Sequence, residues 1–147
     1  MTRAILLDAN LLIGALDTDP NNSVHLSAKA EVERLLTDDR VRVAISPLIR
    51  YEVLRGAKRV PLDELEQILN AFQEFEVGAK DARMAAEVFR HDRRDDAERA
   101  IDKKRFDVFH CVCANLNDLE LISHDQDIKK IQDLIKELEE NAKAHRP

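Results

Sequence analysis

Apolar positions along this chain alternate between short unbroken runs and stripes at helical spacing. Ala4-Ile5-Leu6-Leu7 has no polar interruption, which predicts a strand covered on both faces, as in a parallel sheet. Leu12, Ile13 and Leu16 follow at helical spacing, so a short helix is expected from Asn10 to Leu16. Asp17-Thr18-Asp19-Pro20-Asn21-Asn22 reads as a loop. Ser23 reads as the N-cap of a long helix to Leu36 with Leu26, Ala30, Val32, Leu35 and Leu36 on its apolar side. Val41 to Ile45 is a second strand. Ser46-Pro47 opens the next helix, serine as cap and proline in the first turn, with Gly56 near its end. A helix from Pro61 to Phe72 and a third strand from Glu74 to Val77 come next. Lys80 to Arg93 reads as a helix with Ala82, Ala85, Ala86 and Phe89 inward. Arg93 to Lys104 is the least apolar part, either a solvated helix extension or an exposed loop. Phe106 to Asn117 is a helix with Phe106, Phe109, His110, Cys113 and Ala114 on one face. Leu119 to Ser123 is the fourth strand. A last helix from Asp127 turns Ile128, Ile131, Leu134, Ile135 and Leu138 inward.

Strands alternating with helices imply an α/β fold, a parallel sheet flanked by helices on both faces. The length of 147 residues suits one domain over residues 1–140, with 141–147 expected to fray. Apolar residues at 44% and charged residues at 35% fit a soluble globular chain. There is no membrane-spanning run and no leader pattern at the N-terminus, so a cytoplasmic location is expected. Cys111 and Cys113, two apart in a helix, point to different sides and cannot bridge; they read as buried thiols in a reducing compartment. The net charge of −6 argues against a protein that grips nucleic acid through a bulk positive field. It leaves open an approach to phosphates through metal-binding acids. The only glycines are Gly14, Gly56 and Gly78, so there is no glycine-rich phosphate loop.

Four carboxylates occupy comparable places. Asp8 closes the first strand, Glu52 lies in the helix after the second, Asp107 in the first turn of its helix, and Asp125 just after the fourth strand. In a parallel sheet the strand ends and the following helix starts share one edge, where ligands bind in open α/β folds. Dipole and capping effects alone explain Asp107 or Asp125 taken singly, and a solvated helix residue explains Glu52. Asp8 has fewer structural excuses, because a carboxylate ending a buried strand needs a partner, and a metal ion is the obvious one.

Ile5-Leu6-Leu7-Asp8-Ala9-Asn10, Ser46-Pro47-Leu48-Ile49-Arg50-Tyr51-Glu52-Val53, Phe106-Asp107 and Leu121-Ile122-Ser123-His124-Asp125-Gln126-Asp127 together carry a family resemblance. In order and spacing they resemble the PIN-domain ribonucleases, most closely the VapC-type toxins of toxin–antitoxin pairs, over nearly the whole chain. Asp107 departs from the pattern in being followed by Val108-Phe109-His110 rather than small residues, and the charged stretch before it is longer than is common. The resemblance implies a PIN-like three-layer α/β/α sandwich with a central parallel sheet of four or five strands. It implies metal-dependent endonucleolytic cleavage of RNA, with Asp8, Glu52, Asp107 and Asp125 holding one or two Mg²⁺ or Mn²⁺ ions. Asn10 and Ser123 would be hydrogen-bond supports, with Asp127 a possible addition. It further implies a small antitoxin partner and a homodimer. Aliphatics of the helices from Ser23 to Leu36 and Pro47 to Phe72, among them Leu48, Ile49, Val53, Leu54, Val60, Leu62, Leu65, Ile68 and Leu69, are candidates for an antitoxin groove, or are simply core. Two other readings stay open: a PIN nuclease of RNA processing without an antitoxin, and an inactive PIN-fold interaction module. A phosphoryl-transfer domain is disfavoured because Asp8-Ala9-Asn10 lacks the paired acids it wants. His110 reads as a core histidine and His124 as a loop residue. The basic residues from Arg90 to Arg105 read as a solvated face or as contacts to RNA phosphates.

Overall fold

The structure, a computed structural model, describes residues 2–91 and 98–144. Its centre is β1 (Arg3–Leu7), whose last three residues, Ile5, Leu6 and Leu7, are fully buried. Successive strand side chains point to opposite faces, so both faces of the sheet are covered, as the unbroken apolar run requires. β2 (Val41–Ile45) and β4 (Glu120–Ile122) pair with β1 in parallel, and β3 (Gln73–Glu74) pairs with β2. Among the described residues the sheet has four strands, in the order β3-β2-β1-β4. The Asp8 amide continues the ladder by donating to the Ile122 carbonyl at 3.1 Å. The carboxyl ends of β1 and β4 therefore stand side by side.

α1 (Ala9–Leu16) begins directly after Asp8 and packs on α2 (Ser23–Thr37) and α3 (Pro47–Gly56). Asn22, not Ser23, caps α2: its side-chain oxygen accepts from the Val24 and His25 amides at 2.9 and 3.2 Å. The buried stripe of α2 is Ala28 and Val32 with Leu35 half-buried, while Leu26, Ala30 and Leu36 face outward. Close packing sets that rotation. A Cβ on Gly14 of α1 would lie 3.0 Å from the Ala28 Cβ, so only the small residue fits against α1 and the larger aliphatics turn away. α3 starts as expected, Ser46 Oγ accepting from the Ile49 amide at 3.2 Å with Pro47 in the first turn.

α4 (Leu62–Leu69) ends before the expected Phe72. β3 is shorter and earlier than the expected Glu74 to Val77, because it meets only Ala44 and Ile45 at the end of β2. α5 (Ala79–His91) turns Asp81, Ala85 and Val88 inward rather than Ala82 and Ala86. Asp81 fixes that face by accepting from the Gly78 amide at 3.0 Å; alanine suits either side of a helix and gives a weak signal. α6 (Glu98–Leu116) begins well before Phe106 and lies against α5 and α7. Of the charged stretch from Arg93 to Lys104, residues 93–97 lie outside the described residues, and the remainder is helix. α7 (Gln126–Ala144) buries Ile128, Ile131 and Ile135, and it continues past Asn141, where fraying is expected from sequence. No described helix is long and apolar enough to cross a membrane.

Candidate active site

Asp8 is buried at the end of β1, where its Oδ2 accepts from Ser123 Oγ at 2.7 Å. Ser123 Oγ accepts in turn from the Asp125 amide at 3.1 Å, and Asp125 Oδ1 from the Asp127 amide at 2.9 Å. The turn between β4 and α7 is thus tied to the end of β1 by a chain of three hydrogen bonds, with Ser123 in the expected supporting place. Asn10 is placed differently. It is exposed at the start of α1 and makes no side-chain hydrogen bond among the described residues, since the helix turns Ala9 inward instead.

Asp107 is not in the first turn of its helix. With α6 starting at Glu98 it sits in the third turn and is buried, so neither capping nor the N-terminal dipole accounts for it. Lys103, Asp107 and His110 share one helix face at i, i+4 and i+7. Lys103 Nζ donates to Asp125 Oδ2 at 2.5 Å and to Asp107 Oδ2 at 3.1 Å, and lies 3.5 Å from Asp127 Oδ2. Glu52 of α3 reaches His110, with Oε1 2.5 Å from the ring Nε2. A carboxylate can only accept, so that contact places the proton on Nε2. His110 Nδ1 is buried and has no hydrogen-bond partner among the described residues.

The four acids are electrically one site. Burial pushes the Asp8 carboxyl above its ordinary range; the Ser123 hydrogen bond and the nearby His110 oppose this, and the Glu52 charge adds to it. Burial also raises Asp107, to about 6; Lys103 opposes, and the charges of Asp125 and Asp8 add. Burial works against the Lys103 ammonium, but its hydrogen bonds to Asp125 and Asp107 outweigh it and hold its pKa above the usual lysine range. As they stand, no three His, Cys, Asp or Glu side chains among the described residues close on a single ion. They form two groups, Glu52 and His110 near Asp8, and Asp107, Asp125 and Asp127 around Lys103. The donors are hard carboxylate oxygens, and a positive charge already sits among three of them, so the residues fit a divalent cation of the Mg²⁺ or Mn²⁺ kind.

The PIN domain family model matches residues 5–134. The chain belongs to the PIN domain family. Its fold is shared with a toxin–antitoxin complex from Klebsiella pneumoniae, at 22% identity and a TM-score of 0.62, over 84% of this chain and 88% of that one. The VapC20 toxin of Mycobacterium tuberculosis, described as cleaving the sarcin-ricin loop, aligns at 17% identity and a TM-score of 0.61, over 86% and 93%. VapBC2 of Rickettsia felis, bound to a DNA fragment from its promoter, aligns at 15% identity and 0.57, over 86% and 92%. No curated protein matches the sequence.

Other features of this PIN domain serve its structure. His124 Nε2 lies 2.7 Å from Glu31 Oε2 with its side chain largely exposed. Cys111 and Cys113 are buried free thiols; burial pushes both up, Cys113 to about 11. Arg50 is held by Glu74 and Arg59 by Asp17, and the Lys104 ammonium lies 4.3 Å from the Phe89 ring centroid. Sequence reading passed over Lys103 and the His110 contact. The spacing Lys103-x₃-Asp107-x₂-His110 carried the signal, visible once the helix is extended back through the charged stretch. A cavity of about 480 Å³ opens beside Asp8 and Asp125, lined also by Asn10, Ser23, Val24 and Glu31.

Proposed function

We propose that this PIN domain is a metal-dependent endoribonuclease and the toxin of a toxin–antitoxin pair. Asp8, Glu52, Asp107 and Asp125 are the ligands of one or two Mg²⁺ or Mn²⁺ ions. The observation that carries the reading is that four acids from separate parts of the chain lie within electrostatic reach of one another, Asp8 and Asp107 buried with raised pKa. Such an arrangement costs folding stability and is explained by a cation. A bound divalent ion supplies charge for the scissile phosphate and acidifies a water for attack on it. The chain's own residues keep the carboxylates placed: Ser123 orients Asp8, His110 orients Glu52, and Lys103 offsets the charge of Asp107 and Asp125. The test is cleavage of cellular RNA by the purified protein in Mg²⁺, beside the same protein in EDTA. RNA left intact in both removes the activity.

Metal binding is expected to show in melting. Asp107 titrates higher folded than unfolded, so its contribution to stability is full below about pH 4 and lost as pH rises through about 6, and burial moves Asp8 in the same direction. A divalent ion takes the ionised carboxylates and reverses this. At ten times its Kd and pH 7.5 it should raise Tm by about 3–5 °C, and by much less at pH 5, where a proton competes at Asp107. Lys103→Met should lower metal-free stability by about 1 kcal/mol, a figure kept small because the ammonium is half exposed. The same change should enlarge the shift with Mn²⁺. An equal shift at both pH values, or none, would count against the cluster as a metal site.

The toxin assignment is supported by fold neighbours that come from toxin–antitoxin complexes. Of the aliphatics named as a candidate groove, Leu62 is exposed and the others are buried or half-buried. The exposed aliphatics of α2 are Val24, Leu26 and Leu36, and Val24 borders the cavity beside Asp8. An apolar partner segment seated there would also cover the acids. Expression alone should arrest growth, and expression with the genomic neighbour should restore it and yield a complex. Sedimentation of the isolated chain tests the homodimer. A chain harmless alone and without a partner would refute the toxin reading and leave a ribonuclease.

A further inference from the structure

Lys103 stands where a cation is wanted, and the chain supplies it from a fixed place. It lies one helical turn before Asp107 on α6, so the helix itself sets the ammonium beside that carboxylate. The next residue, Lys104, turns instead to the Phe89 ring. Lys103 Nζ donates to Oδ2 of Asp107 and to Oδ2 of Asp125, and Asp127 Oδ2 lies 3.5 Å away. The other oxygen of Asp125, Oδ1, accepts from the Asp127 amide. Both oxygens of Asp125 are therefore engaged within the chain. At the Asp8 end the arrangement differs. His110 meets Glu52 there and the Ser123 hydroxyl meets Asp8, and among the described residues no lysine or arginine bonds to either acid. The carboxylates thus divide. Asp125 and one oxygen of Asp107 answer to an ammonium; Asp8, Glu52 and Oδ1 of Asp107 do not.

We propose that Lys103 fills the second cation position of this site, so that the chain binds one divalent ion where its acids would otherwise hold two. This rests on the metal reading above and narrows it. The ion is held by Asp8, Glu52 and Asp107, and Asp125 is given over to the ammonium. Two-ion sites set their metals about 4 Å apart. An ion bridging Asp107 and Asp125 would have to share the oxygens that Lys103 already holds, against its charge. Burial works against the ammonium, but its hydrogen bonds to Asp125 and Asp107 outweigh it, so the position keeps its charge. Replacing it with Mg²⁺ would also strip water from an ion that gives it up reluctantly. An ammonium does not acidify a bound water as a metal does. Lys103 therefore supplies charge alone, beside the single ion.

The test counts ions on the full chain. Mn²⁺ is titrated into the protein without RNA at physiological ionic strength, and bound ion is measured by equilibrium dialysis. Electron paramagnetic resonance of the loaded protein reports whether bound ions lie beside one another. The parent should saturate at one Mn²⁺ per chain, with the spectrum of isolated ions. Lys103→Met removes the charge and should saturate at two, with the spectrum of a coupled pair. Lys103→Arg keeps the charge and should stay at one. Adding Asp125→Asn to Lys103→Met should return the count to one, since the second ion needs that carboxylate. In the otherwise unchanged chain, Asp8→Asn should weaken the single ion by about a hundredfold and Asp125→Asn by less than about tenfold. Two ions on the parent, or one on Lys103→Met, would overturn the proposal. So would a hundredfold loss in Asp125→Asn, which would make Asp125 a ligand of the single ion. If Lys103→Met fails to fold, the count on the parent and the Asp125→Asn affinity still decide. Two ions on the parent defeat the role of Lys103 and spare the metal site; no Mn²⁺ bound at millimolar concentration defeats both.

Discussion

Asp8→Asn is expected to lower metal-dependent RNA cleavage by about a thousandfold or more, the size of losing several kcal/mol of charge stabilisation in the transition state. Asparagine keeps the shape, and its carbonyl oxygen can still accept from Ser123 Oγ, so the fold should survive. Burial and the Glu52 charge work against the ionised Asp8 carboxyl. The variant should therefore melt higher than the parent without metal, and should lose most of the metal-induced rise. Activity and stability move in opposite directions, which a purely structural aspartate would not produce. Asp107→Asn should behave alike. Retained cleavage together with an unchanged metal shift would take the substituted residue out of the site.

Ile49→Ala carries the largest expected effect on stability away from the acids, a loss of about 2–5 kcal/mol. Ile49 is fully buried in the first turn of α3, and its amide is the one capped by Ser46. The cavity left behind would loosen the helix that carries Glu52 and Tyr51. Urea unfolding measures the loss, seen as a lower midpoint at unchanged slope. The folded fraction should still cleave RNA at low temperature, because no acid is touched. A loss under about 1 kcal/mol would mean that the core around α3 collapses into the gap.

The parts of this fold legible in the sequence were those in which one local pattern admits one explanation. Four unbroken apolar residues before Asp8 and the Ser46-Pro47 start belong to that class. Where two residues compete for one task the pattern is silent: Asn22 and Ser23 are both good caps, and the close approach of Gly14 to Ala28 decides the face of α2 from outside its sequence. The edge strand β3 takes its length from its neighbour rather than from its own residues. Asp8 and Asp125 could be named because each follows a strand, while Glu52 and Asp107 lie further into their helices, Asp107 in the third turn of α6 rather than the expected first. Lys103 could not be placed, since a charged run looks solvated until Asp125 and Asp127, from another part of the chain, fold beside Asp107 around one of its members. That ion group is a tertiary fact. The resemblance to PIN ribonucleases pointed to the acids and was silent on the lysine.

The sheet also governs how this molecule can associate. Among the described residues its outer strands are β3, with two residues, and β4, with three. A visiting strand aligned on either would find too few free amides and carbonyls for a stable ladder. Growth of the sheet across a subunit boundary, the route to edge-to-edge aggregation, is closed by the brevity of both borders. A partner that met the helices instead would be recognised through side-chain shape and charge, which substitution can retune far more freely than a backbone ladder.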